Sequence, residues 1–356
     1  MVQLTSNFTS EAPLAPQVRE AISIALQDGW ADPKKSSRGA AKAAALRHSC
    51  LEEIAAHCHT QPSHLEVVGE PNLGYFLALA GFLTPQRQLV TSAVDVGKIR
   101  AIARSHRGEK YELTVDGMGR YNNLSEIASQ QSLMVFQSCN GETGVRQESL
   151  ASNSEFSQRG HTVVVDASRD IPASEILQGA SAAIFDAAAW NGPAGIGLMY
   201  IAEPAKYRYP LPHIAPIRAP GSYSLPLLVG ATVALTLFKQ SQQSIIELRS
   251  YAAHQVSAIT GVTVVAEETG SHSRYLSFLI DGLSSEELLR TLQPLGVELD
   301  AGSACSPEDL TPSHVIAAMG LPTAGHMRIT IHPDSTRDEI DYMSVRIAKA
   351  LGQLNS

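Results

Sequence analysis

From residue 64 to residue 202, short apolar runs alternate with helical ones, and this alternation limits the fold more than any other feature of the chain. "HLEVVG" leads into "NLGYFLALAGFL" and "QLVTSAV" into "VGKIRAIARSH". "SLMVFQS" runs into the loop "CNGETGVRQ", and "TVVVDAS", "SAAIF" and "LMYIA" follow. Runs this short and apolar read as strands buried on both faces. Helices between them let successive strands lie parallel, so the pattern predicts an α/β fold with a mostly parallel, doubly wound sheet. In such sheets ligands sit beyond the carboxyl ends of the strands. Three loops fall there: Cys139–Gly144, Asp166–Asp170 and Asp186–Gly197.

After about residue 240 the texture changes. "VTVVAEE", "RYLSFLID", "VELDAGSAC" and "HMRITIH" read as strands, interleaved with the helices "SSEELLRTLQPL" and "TPSHVIAAMG" and closed by "TRDEIDYMSVRIAKALGQL". This predicts a large α/β domain over 1–240 and a small α+β domain over 241–356, with the first residues of the chain able to pack on the smaller one. A chain of 356 residues is long enough for two such units. With 44% hydrophobic and 17% charged residues it is expected to be well packed. A net charge of -8 and the absence of a basic run argue against a nucleic-acid groove. The start lacks the basic head and apolar core of a signal peptide, and the longest apolar run, 225–238, is too short to span a bilayer. Four cysteines without framework spacing suit reduced thiols and a cytoplasmic location. Cys50 and Cys58 lie eight residues apart on one predicted helix, about 12 Å along its axis, too far for one metal ion.

The residues from Asp300 onward resemble the carboxyl-terminal domain of the cysteine desulfurases, class V aminotransferase-like enzymes of the fold type I pyridoxal-phosphate group. The resemblance rests on a Ser-x-Cys loop at Ser303–Cys305, "PSHV" at 312–315, a strand carrying Arg328, and "TRDEID" at 336–341. Upstream, "CNGETGVRQ" is similar to the family's Asn-Asn-Glu-x-Gly-x-x-Gln loop, "VVVDAS" to its strand ending in Asp-Ala-Thr/Ser, and "NGPAGIGLMYI" to the strand after its catalytic lysine. The implied architecture is a large domain with a doubly wound sheet, a small carboxyl-terminal domain and a homodimer whose cleft lies at the subunit interface.

The departures fall on the cofactor contacts. Counting back from Gly192-Pro193, Ala188 stands at the family's histidine and Ala189 at its Schiff-base lysine. Val96 stands where a histidine stacks on the ring. Glu70-Pro71-Asn72 replaces the Gly-Ala-Thr phosphate turn, and Pro71 has no N–H to offer. Gly141 replaces the second Asn, and Arg169 replaces the Gln beside the ring hydroxyl. Of eight lysines, Lys98 is the nearest to a substitute. From these losses the expectation is that no cofactor is bound. Asp166 matches the carboxylate that pairs with the pyridine nitrogen, with Arg169 placed to neutralise it. Ser222 and Ser224 lie where a neighbouring subunit would lend hydroxyls, so these four form a vestigial cofactor cleft. Arg328, with Asn140, matches the group that grips a substrate carboxylate, and Cys305 matches the mobile persulfide carrier, although Glu308 and Asp309 beside it would raise its pKa. Trp190 is expected to fill part of the vacated space.

The implied function is a cysteine desulfurase-like protein without covalent pyridoxal phosphate, acting as sulfur acceptor, regulator or scaffold in sulfur transfer through a protein partner. An active enzyme with a divergent site and a binder of small carboxylates are the alternatives.

Overall fold

The computed structural model describes residues 6–127, 131–147, 153–266, 273–302 and 312–354. Through the first half of the chain the elements are β1 (Ser6–Asn7), α1 (Pro16–Asp28), α2 (Arg38–His57), β2 (Leu65–Val68), α3 (Pro71–Ala80), β3 (Gln88–Ser92), α4 (Gly97–Ser105), β4 (Lys110–Leu113) and β5 (Ser132–Gln137). Then come α5 (Asn153–Gln158), β6 (Thr162–Asp166), α6 (Ser174–Leu177), β7 (Ala182–Asp186), β8 (Gly197–Ile201) and the long α7 (Leu225–Ser257). The carboxyl-terminal part holds β9 (Val262–Val264), β10 (Tyr275–Ile280), α8 (Ser285–Leu292), β11 (Val297–Glu298), β12 (Asp300–Ala301), α9 (His314–Ala318), β13 (His326–Thr330) and α10 (Arg337–Leu354).

Among the described residues, seven strands form the main sheet in the order β2-β8-β7-β6-β5-β3-β4. The run β4-β3-β5-β6-β7 is parallel, whereas β8 is antiparallel to both β7 and β2. The apolar runs explain this order. Leu133–Phe136 of β5 and Val163–Val165 of β6 are wholly buried, as befits central strands covered on both faces. The edge strand β4, "KYEL", carries two charged residues and has no apolar run to mark it in the sequence. That is the usual composition of an edge kept from pairing further.

The second sheet is antiparallel, β12-β13-β10-β9. Here β1 reaches across the molecule to pair parallel with β11, Ser6 opposite Val297. Residue 240 falls inside α7, which runs unbroken for 33 residues, about 50 Å, from the large sheet to the small one. It packs on α1 and α2 at one end and on α10 at the other. No helix among the described residues is long and apolar enough to cross a membrane.

Candidate functional site

The carboxyl ends of β3, β5, β6 and β7 bring together Asp95, the Asn140–Gln147 loop, Asp166–Asp170 and Asp186–Trp190. Asp166 ends β6 and is buried. Its Oδ1 accepts from the Ser168 N–H at 3.0 Å, and its Oδ2 has no partner among the described residues. Burial raises its pKa, only partly offset by Ser168, Arg169 and the nearby Gln137 amide. Asp95 lies under the same site, also buried, with one oxygen on the Ser92 N–H at 2.7 Å and the other unpartnered. Burial, countered by the Ser92 bond and reinforced by Asp166, pushes its pKa up to about 8.

Arg169 keeps an exposed side chain in the mouth of this depression. Loss of water works against its charge, but Tyr275, Tyr75, Asp186 and Asp166 outweigh that and raise its pKa. Its stem lies against Gly141, where an added Cβ would come within 2.9 Å of Arg169 Cγ. The two departures are therefore coupled: the missing side chain at Gly141 makes room for the larger one at Arg169. Asp166 and Arg169 act on each other through space and do not form the contact ion pair expected from their spacing.

Asn140 holds its own loop. Its side-chain carbonyl accepts from the Glu142 and Thr143 N–H groups at 2.9 and 3.0 Å, and its amide donates to the Val94 carbonyl and to Gln137. Gly144 closes that turn at φ +76°, its Cα facing the Tyr275 carbonyl too closely for a Cβ. Arg328 is 8% exposed. It donates to Asp300 at 2.6 Å and to the Gly141 carbonyl at 2.8 Å, so an incoming carboxylate would compete with Asp300 for it. The alternation seen in "HMRITIH" holds, yet both faces are buried: His326 donates or accepts at Ser277, and Thr330 and His332 lie inside.

At the amino end of α3 the Glu70 side chain accepts from the Asn72 N–H at 2.9 Å. A helix start is a natural anion site, and here the chain's own carboxylate caps it. Ser222 and Ser224 are exposed and line a surface cavity of about 490 Å3 with Leu26, Trp30 and Lys34.

Ala189 is buried in the turn after β7. Trp190 is also buried, but its ring packs on α7, with Nε1–H donating to the Ala231 carbonyl at 2.9 Å. The space beside Ala189 is faced by Arg169 and by Arg274, which the sequence did not single out. Arg274 precedes β10, and nothing in the spacing of "SHSRYLSF" distinguishes it from an ordinary strand-end arginine. Cys305 lies outside the described residues. The other three thiols are buried. Burial raises Cys50 and pushes Cys58 and Cys139 up to about 12. Among the described residues no group of three or more His, Cys, Asp or Glu is arranged to hold a metal ion.

The Aminotransferase class-V family matches residues 219–343. The chain is 22% identical over 362 residues to "Cysteine desulfurase IscS" of Dictyoglomus turgidum, covering 94% of this chain and 91% of that one. It is 24% identical over 374 residues to a "Cysteine desulfurase" of Klebsiella pneumoniae, covering 100% and 94%. A solved "NIFS-LIKE PROTEIN" superposes over 98% of this chain and 100% of its own, with a TM-score of 0.83 at 18% identity. The chain is cysteine desulfurase-like, and its residues 219–343 match the class V aminotransferase family.

This overturns one expectation. The cysteine desulfurase-like chain was expected to use no cofactor, on the evidence of replaced contact residues. Its family and relatives point instead to pyridoxal phosphate. Replacing contacts one at a time weakens a binding site, whereas the fold that surrounds the cofactor is kept end to end. The residues present fit that group at its ring nitrogen, where Asp166 offers a buried, unpartnered oxygen. The Glu70-capped turn and Ala189 supply no matching contact for its phosphate or aldehyde.

Proposed function

We propose that this cysteine desulfurase-like chain holds pyridoxal phosphate without a Schiff base and serves sulfur transfer as an acceptor, regulatory or scaffold partner. The observation that carries the reading is the turn after β7, where Ala189 is buried and has no amine to give. Covalent attachment and the following proton transfers both need an amine at that place. Exposed Ser222 and Ser224, beside exposed Trp30 and Leu26, support a homodimer in which these residues face a second copy. The carboxylate-binder alternative draws no support from Arg328, which Asp300 already neutralises.

The acceptor role falls to Cys305, because the other three thiols are buried and held protonated. The test is incubation with an active cysteine desulfurase and cysteine, followed by mass-spectrometric mapping of persulfides. The expected result is a persulfide on Cys305 and none on Cys50, Cys58 or Cys139. A chain that gains no persulfide anywhere would remove the acceptor role.

A further inference from the structure

Arg274 is a buried guanidinium, 5% exposed, whose partners among the described residues are all neutral. It donates to the Ala189 carbonyl at 2.9 Å, to Asn191 Oδ1 at 2.5 Å and to His332 Nδ1 at 2.9 Å. His332 is neutral here: it donates through Nε2 to the Thr9 carbonyl, and burial next to Arg274 lowers its pKa to about 4. Arg274 Nε has no partner among the described residues. The rings of Phe238 and Tyr275, 5.4 and 5.7 Å from its carbon, supply some compensation but no counter-charge. Among the described residues, the formal charge that bears on it is the like charge of Arg169. A buried ion left in this state is strongly destabilising.

The cavity that Arg274 faces is lined also by Arg146, Arg169, Asp170, Ala189 and Ser273, and measures about 30 Å3. Arg146 and Asp170 cancel each other in a two-pronged pair at 2.6 and 2.7 Å. That leaves two guanidiniums around a space with room for about two waters, since one needs roughly 10–15 Å3. That volume favours a small anion over sulfate or phosphate.

We infer that the cavity between Arg169 and Arg274 is a binding site for a small monovalent anion of the size of chloride or hydrosulfide. The anion supplies the charge that Arg274 lacks and locks the β7 turn to β10 and β13. This site stands independently of the sulfur-acceptor role, whose test reads a different residue.

The test is thermal unfolding of the full chain at constant ionic strength, with gluconate replaced stepwise by chloride, bromide, hydrosulfide or sulfate. A ligand bound only by the native state raises Tm in a saturable way. The expected result is a saturable rise with chloride, bromide and hydrosulfide and none with sulfate. A crystal soaked in bromide should show anomalous density against Arg274. Preference for hydrosulfide over chloride by tenfold or more would give the site a sulfur source; equal affinity would make it a halide site. Arg274→Met should abolish the response. Because that variant can fail to fold, Arg169→Gln, altered at an exposed side chain, is expected to fold normally and to raise the half-saturating concentration at least tenfold. No saturable rise with any small anion, an equal rise with sulfate, an unchanged response in Arg169→Gln, or bromide density absent from the cavity would each overturn the site.

Discussion

Asp95 shows how much a single residue at this site escapes sequence reasoning. In the chain it is one polar residue in "SAVDV", beside the position at which a stacking histidine was sought. In the fold it is a fully buried carboxyl with an unpartnered oxygen, facing the charge of Asp166. Its folded pKa of about 8 stands above the unfolded value of about 3.9. The native state therefore holds more protons between the two. The stability contributed by the neutral carboxyl is complete below about pH 4 and is lost as pH rises through about 8. Asp95→Asn stays neutral throughout. Its Tm is expected to fall less than that of the parent as pH rises from about 5 to about 8.5, and to exceed the parent's at the alkaline end. Parallel Tm curves would show that Asp95 is not the titrating group. Glu70 and Arg169 were legible as misfits in a phosphate turn and a ring contact, because a charge of the wrong sign or size stands out in a motif. Arg274 and Asp95 were not, because the partners of Arg274 and the Asp166 that faces Asp95 lie far away along the chain.

At the scale of elements, the strands read well where burial is complete on both faces. β5, β6 and β7 follow directly from their apolar runs, and the loops they end in are those that form the site. The edge strand β4 was missed because half-exposed, charged residues carry no strand signal. Only the first part of α7, the apolar run 225–238, stands out in the sequence, because polar residues from Lys239 to Ser244 interrupt its apolar face. The helix continues there because one end packs on α1 and α2 and the other on α10 and the small sheet, so that each half is buried by its own neighbours. The turn after β7 is fixed to α7 by Trp190. Trp190→Ala removes a ring that is 1% exposed and should cost about 3–5 kcal/mol in urea unfolding. Trp190→Phe keeps most of the packing and loses the bond to Ala231, and should cost clearly less. Equal losses in the two variants would mean that the hydrogen bond, not the packing, secures the turn. The expected filling of the cleft by Trp190 is thus corrected in direction: the indole serves the core behind Ala189, and guanidiniums face the front.

Over the whole molecule, the α/β architecture and the resemblance to cysteine desulfurases were legible because both follow from patterns spread along the chain, and a TM-score of 0.83 over 98% of it agrees with them. The cofactor was not legible by the same route. The replaced contact residues point away from it, whereas the fold around Asp166, shared along nearly the whole chain, points to it. The direct measurement is borohydride reduction of the protein after incubation with pyridoxal phosphate, followed by peptide mapping. With Ala189 at the end of the β7 turn, cofactor is expected to be recovered free, with no pyridoxyl group on any of the eight lysines. A stoichiometric pyridoxyl-lysine, at Lys98 or any other position, would contradict the account.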